Sequence, residues 1–424
     1  MEINETLITN FQRTMKLNKF VTLESGLRPK GGVGGILDGI PSLGGEHLNA
    51  DGGFIFEKIK YIPEDFFQML NKGHIHPNDI IVVKDGATTG KISFVDNDFP
   101  HKRAVVNEHL FIVRVDPKMA FSKYVFYYLF SSEGQKQILS DFRGATIGGI
   151  SRNFPQKVNV PIPPLPEQTQ IANFLDRKTE QIDELIRIKE RRIELLQEQR
   201  TALINQAVTK GLDPNVEMKP SGVEWIGEIP IHWDVKRLKY VANINMGQSP
   251  PSEEYNNDQV GTPFLQGNAE FGSHHPTPKI YCPTAKKYAG SGDILLSVRA
   301  PVGAINIANQ EYGIGRGLCA IHPQANQLEH LYAKYLLKVV RTELHTIATG
   351  STYDAVTVDE VSNITCVVPP FCEQTQIANF LDCKTKQIDE LISGEQRKIE
   401  LLKEYRQSLI SEAVTGKIDV RNEA

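Results

Sequence analysis

The sequence predicts an α+β chain: two mixed α/β heads joined by two long antiparallel helices forming a coiled-coil spacer, with a pseudo-two-fold internal repeat. Three observations carry this. Residues 163–213 recur at 369–419 with 33 identities in 51 aligned positions and no gap. Each copy has the apolar spacing of a single long helix. Each also follows a region of short β-branched runs broken by Gly and Pro, the mark of a strand-rich body.

In chain order, the first region (1–155) contains NDIIVVKDGATTG from Asn78 to Gly90. An acid, a short β-branched run and a basic residue enter a Gly-containing turn, as a strand leading into a loop does. An aromatic helical stretch, YVFYYLF from Tyr124 to Phe130, and a GAT element at Gly144 to Thr146 follow. The second region (236–365) repeats the order with other residues: GDILLSVRAPVG from Gly292 to Gly303, LYAKYLL from Leu331 to Leu337, and GST at Gly350 to Thr352. Like frames with unlike loops suit one scaffold presenting two surfaces.

The helical segments occupy 156–213 and 366–424. Pro163, Pro164 and Pro166 precede the first, and Glu167 places negative charge at its N-terminus. No Pro or Gly interrupts it before Gly211. Apolar residues fall at Ile171, Leu175, Ile182, Leu185, Ile193, Leu196, Leu203 and Ala207, with Lys178, Lys189 and Arg200 completing the seam. The second copy repeats this with Ile377, Leu381, Ile388, Leu391, Ile399, Leu402, Leu409 and Ala413, and carries a weak point at Gly394. A helix of about 40 residues is roughly 60 Å long, and alone it leaves its seam wet. The narrow seam flanked by charge favours pairing with the other copy; the alternative is packing on the adjacent head. Chain order makes the pair antiparallel with a head at each end, two sites at a fixed interval. The linker (214–235) holds KPSGVEWIGEIPIHW with both tryptophans, Trp225 and Trp233, and reads as a docking segment.

Composition bounds the function. A hydrophobic fraction of 40% and a charged fraction of 23% are those of soluble globular proteins, and no apolar run reaches membrane-spanning length. The N-terminal MEINETLITN lacks a basic start and apolar middle, so no signal peptide is expected and the chain reads as cytoplasmic. Five cysteines without a CxxC pair read as thiols of a reducing compartment. The net charge of −4 weighs against strong solitary binding to nucleic acid. Residues 1–155 hold 18 Lys/Arg against 17 Asp/Glu, and residues 214–368 hold 12 against 15. Any phosphate attraction must come from a basic face or from a partner.

PPLPEQTQIANFLD and PPFCEQTQIANFLD, each after a GAT or GST element, resemble the conserved regions of type I restriction–modification specificity subunits. GDILLSVRAPVG and SGVEWIGEIPIHW resemble further motifs of that family, and the resemblance covers nearly the whole chain. It implies two target-recognition domains, 1–155 and 236–365, each reading half of a split site on double-stranded DNA. It implies helical spacers at 156–213 and 366–424 that set the gap, with two adenine-N6 methyltransferase subunits and motor–nuclease restriction subunits as partners. The N-terminus lacks its own WIGEIPIHW-like segment, and Cys372 stands where the first copy has Pro166.

Catalytic equipment is not expected in the chain. The Pro pairs at 163, 250 and 369 are preceded by Ile162, Ser249 and Val368, not by the Asn or Asp of an adenine-methyltransferase tetrapeptide. GATTGKI, from Gly86 to Ile92, has three residues between its glycines and no hydroxyl after Lys91, so it is not a phosphate loop. His274 and His275 lack a metal-ligand set and read as a solvated loop. No cofactor and no metal site is expected. Base reading falls to polar side chains on Gly-rich loops: Lys84, Lys91, Arg103, Arg143, Thr146 and Arg152 in the first head, and Gln266, Asn268, Arg299, Arg316, Ser351, Thr352 and Tyr353 in the second. The alternative function is a coiled-coil scaffold with two protein-binding heads.

Overall fold

The computed structural model describes residues 13–29, 38–144, 148–341, 344 and 355–420. Two compact units result: Met1–Glu190 with Gln396–Ala424, and Arg191–Glu395. Each holds one head, the start of one long helix and the end of the other. Compactness thus divides the chain through the middle of both helices.

In the first unit, β1 (Thr14–Lys16) pairs with β9 (Asn159–Pro161), closing the head where its chain enters and leaves. Between them β2 (Val21–Ser25), β8 (Leu110–Val115), β5 (Ile80–Val83) and β6 (Ile92–Phe94) form an antiparallel sheet in that order. A second sheet orders β4 (Lys60–Ile62), β3 (Ile40–Leu43) and β7 (Val105–Val106), with β3 parallel to β7. The run IIVV is β5, buried along its whole length, which is why it shows no polar alternation. Its leading acid is a frame element: Asp79 accepts the Arg114 guanidinium from β8 at 2.8 Å through each carboxylate oxygen.

The second unit repeats this plan. β12 (Asp234–Arg237) pairs with β21 (Thr365–Val368); β13 (Ala242–Met246), β20 (Leu318–Pro323), β17 (Ile294–Ser297) and β18 (Ile305–Ile307) form the antiparallel sheet. β15 (Ile280–Cys282), β14 (Thr262–Leu265), β19 (Tyr312–Ile314) and β16 (Tyr288–Ala289) form the other sheet, with β14 parallel to β19. Asp293, the counterpart of Asp79, lies 2.6 Å from His322 on β20. The linker segment folds as a hairpin of β10 (Met218–Pro220) and β11 (Glu228–Pro230). Trp233 is buried against the end of the first long helix, and its indole N–H donates to Glu373 at 2.9 Å; Trp225 is partly exposed.

The repeats are single helices, Leu165–Lys210 and Phe371–Val414, each about 65–70 Å long at 1.5 Å per residue. Their identical residues dock the heads. Gln168 accepts the Phe121 N–H (2.8 Å) and donates to the Pro163 carbonyl (2.8 Å); Gln374 accepts the Glu329 N–H (2.8 Å) and donates to the Pro369 carbonyl (2.9 Å). Tyr127 donates to Asp176 at 2.5 Å, and Tyr335 to Asp382 at 3.4 Å. Beyond this first stretch the seams take over, so packing on a head and packing on the other copy are both realised, at different turns.

In the second unit Arg200 pairs with Asp389 at 3.0 Å and Arg192 with the buried Glu395 at 3.3 Å. As one number rises the other falls, so the helices run antiparallel. The counterpart in the first unit is Arg406 with Asp183, at 3.0 Å. The seam departs from the sequence expectation at one place. Leu185 and Leu391 are about half exposed, while Ile186 is buried. A heptad seam steps alternately by three and four; between Lys178 and Ile193 either residue leaves one pair of consecutive steps of four, so spacing does not decide between them and the opposing helix selects Ile186. Gly394 does not interrupt its helix.

Candidate nucleic-acid interface

In the second head β17 ends at Ser297, whose hydroxyl donates to the carbonyls of Arg299 (2.9 Å) and Pro301 (3.0 Å) and fixes the turn. The stretch before β20 is Gly-rich because its backbone crosses β14 at close range. A Cβ at Gly317 would meet the Gln266 carbonyl oxygen at 2.7 Å, and one at Gly315 would lie 3.1 Å from the Gln266 Cα. Arg316 stands between these glycines, with its N–H donated to the Ser249 hydroxyl at 3.0 Å. The outcome is an open cleft of about 570 Å³ lined by Ser249, Tyr255, Gln266, Asn268, Arg299 and Arg316 among others. Both guanidinium-bearing residues are exposed, and among the described residues neither has an acidic partner. Amide, hydroxyl and forked cation in one cleft can meet base edges and phosphate together.

The first head has the same backbone at this place. Val298 N–H donates to the Gly317 carbonyl (3.0 Å) as Lys84 N–H does to His109 (2.8 Å). Gly315 N–H donates to Leu265 (2.8 Å) as Asn107 N–H does to Leu43 (2.9 Å), and Val356 N–H to Val298 as Ile150 N–H to Lys84, both at 2.8 Å. Leu318 and Leu110 close the match, opposite Ser297 and Val83. Arg299 is therefore equivalent to Asp85, and Arg316 to Glu108. The side chains differ in sign. Asp85 lies 2.5 Å from the His109 ring and 3.4 Å from Lys84; Glu108 lies 3.5 Å from His109 and 3.6 Å from Arg28.

Four residues singled out in the second head, Gln266, Asn268, Arg299 and Arg316, thus share one cleft. Those of the first head are dispersed. The Lys84 ammonium donates to the Glu108 carbonyl (3.3 Å), Lys91 to the Leu48 carbonyl (2.8 Å) and Arg152 to the Leu23 carbonyl (2.9 Å). Arg103 pairs with Glu64 and stacks 4.6 Å over the Phe67 ring. Arg143 is exposed, 3.9 Å from Asp141. Thr146, Ser351, Thr352 and Tyr353 lie outside the described residues. Sequence reasoning passed over Asp85, Glu108 and His109. The signal was there for Asp85: aligning NDIIVVKD with GDILLSVR puts it opposite Arg299.

Among the described residues no His, Cys, Asp and Glu group is placed to hold a metal ion, and no helix is long and apolar enough to cross a membrane.

A family model described as the type I restriction modification DNA specificity domain matches twice, over residues 40–197 and 230–401. The putative type I restriction enzyme MjaX specificity subunit of Methanocaldococcus jannaschii is 35% identical over 309 residues, 72% of this chain and 70% of that protein. The MjaVIII specificity subunit of the same organism is 26% identical over 96% of this chain and 93% of its own length. A chain solved in work on complex assembly and conformational transition of the type I R-M system superposes with a TM-score of 0.77, at 26% identity over 96% of this chain and 98% of that one. The HsdS subunit from Thermoanaerobacter tengcongensis gives 0.57, at 26% identity over 98% and 99%. The protein belongs to the type I restriction–modification specificity-subunit family, the non-catalytic, DNA-reading members of their complexes.

Proposed function

We propose that the two heads are target-recognition domains (1–155 and 236–365) that each read one half of an interrupted site on double-stranded DNA, with the paired helices fixing the unread gap. The observation that carries this is the swapped closure of the repeat. The Tyr124 hydroxyl in the first head lies within hydrogen-bonding distance of the Pro161 (2.9 Å) and Val414 (3.2 Å) carbonyls. Tyr332 in the second is placed likewise toward Val367 (3.1 Å) and Val208 (3.3 Å). Each head is clasped by the end of its own strand frame and by the end of the other copy's helix. Two such heads on one chain with different reading residues imply unlike half-sites.

The cleft of Gln266, Asn268, Arg299 and Arg316 is the reading surface of the second head. The outer faces of the helices carry exposed apolar stripes, Leu185, Ile188 and Leu195 on the first and Leu391, Leu401 and Tyr405 on the second. These stripes receive two adenine-N6 methyltransferase subunits, and the motor–nuclease subunits join that core complex in the cytoplasm. Docked partners supply cationic surface that a chain of net charge −4 lacks.

Inserting four residues into the first long helix, with the matching insertion in the second, tests the ruler. Methylome sequencing of cells carrying the variant should return both half-sites unaltered and a longer gap. Altered half-sites with the original gap would defeat the reading.

A further inference from the structure

We infer that the two half-sites are told apart by complementary base-edge chemistry at one equivalent pair of positions: guanine read by Arg299 and Arg316 in the second head, and an exocyclic amino group of cytosine or adenine read by Asp85 and Glu108 in the first. The inference rests on the reading of the heads as DNA-binding domains and deepens it.

The backbone frame around these positions is the same in both heads. The strand register and three pairs of matching hydrogen bonds place Arg299 with Asp85 and Arg316 with Glu108. Only the sign of the side chain changes, and it changes at both positions. A guanidinium offers two parallel N–H donors, which match the O6 and N7 acceptors of guanine in the major groove. A carboxylate offers acceptors alone and matches the amino group of cytosine or adenine while rejecting guanine O6.

Each set is held for its task. Arg299 and Arg316 face an open cleft with Gln266 and Asn268, without an acidic partner among the described residues. Asp85 and Glu108 are kept from pure repulsion of the duplex by Lys84 at 3.4 Å and Arg28 at 3.6 Å, and the His109 ring lies 2.5 Å from Asp85 and 3.5 Å from Glu108. Lys84 and Arg28 offset the carboxylates' charge near phosphate, and the buried Glu108 Oε2 has no hydrogen-bond partner among the described residues.

The test uses the complete chain assembled with its methyltransferase subunits. Binding is measured against duplexes substituted base by base at every position of the wild-type motif. Arg299→Gln and Arg316→Gln should flatten a guanine preference in one half-site by roughly 10- to 100-fold. Asp85→Ala and Glu108→Ala remove the acceptors and should flatten a cytosine or adenine preference in the other half-site. Arg299→Lys and Arg316→Lys keep the charge and a donor for guanine but lose the planar fork, so a complex bound too weakly as glutamine is ranked with these variants, in which a weakened guanine preference is expected. Thermal unfolding of each variant confirms that the head is intact.

The inference is overturned by a wild-type half-site for the second head that contains no guanine. It is equally overturned if base preferences stay within twofold of wild type, or if binding falls evenly across the panel as phosphate contacts would make it. A wild-type complex that ranks no duplex above another would instead sink the reading of the heads as DNA-binding domains.

Discussion

Lys338 shows how one residue registers the packing of the second head on its helix. Burial pushes its ammonium down to about 8, with Arg200 and Lys334 adding repulsion and Asp389 and Asp382 opposing it. A lysine with a depressed folded pKa is a cost to the folded state wherever it must stay charged. That cost is full below about pH 8 and fades as pH rises toward the unfolded value near 10.5. Lys338→Met should therefore raise stability by up to about 3 kcal/mol at pH 7, with the gain shrinking by pH 10. Urea unfolding at the two pH values measures it, and an equal gain at both would show that the charge is not the cause.

At the scale of the element, the long helices carry two apolar stripes with different duties. Ile186 faces the seam, whereas Leu185 faces outward. Ile186→Ala should cost about 2–4 kcal/mol in unfolding of the free chain, and Leu185→Asp should cost little. Leu185→Asp with Leu195→Asp should instead abolish co-elution with the methyltransferase subunits on gel filtration; retained co-elution would remove the outer stripe as a docking face. Gly394 is exposed in mid-helix, and a Cβ there would meet nothing within 4 Å. Gly394→Ala is expected to raise stability by about 0.5–1 kcal/mol, seen as a higher urea midpoint with an unchanged slope. A lower midpoint would mean that the glycine serves a local bend.

Considered whole, the molecule closes each unit with residues distant in sequence. The first unit takes in Gln396–Ala424: Gln407 donates to the Phe130 carbonyl (3.2 Å), and Ser411 meets Ser132 at 3.0 Å. Removing residues 405–424 should loosen the first head although about 250 residues separate it from the cut. Hydrogen exchange is expected to rise in β9 and around Tyr124–Phe130 while β17 and β20 keep their protection. Uniform loss in both heads, or in neither, would count against the swapped closure.

The sequence by itself determined the duplication, the two long helices, the order of elements in each head and the family. A repeat of 33 identities in 51 positions is visible without coordinates, and helical periodicity is a local property of the chain. Leu185 against Ile186 was not decidable locally, because a 3.5-residue period leaves both near the seam and only the opposing helix selects one. The cleft of the second head was half legible. Arg299, Arg316, Gln266 and Asn268 stand out as polar groups on Gly-rich turns, yet their convergence depends on β14 crossing the stretch before β20. The tertiary structure alone decided that Lys91, Arg103 and Arg152 end on partners within the first head, since a basic side chain looks the same in sequence whether it ends on a carbonyl, a carboxylate or in solvent. It also decided that Glu108 stands where Arg316 does, with the charge reversed, because equivalence between divergent loops is set by strand register and backbone hydrogen bonds rather than by residue identity.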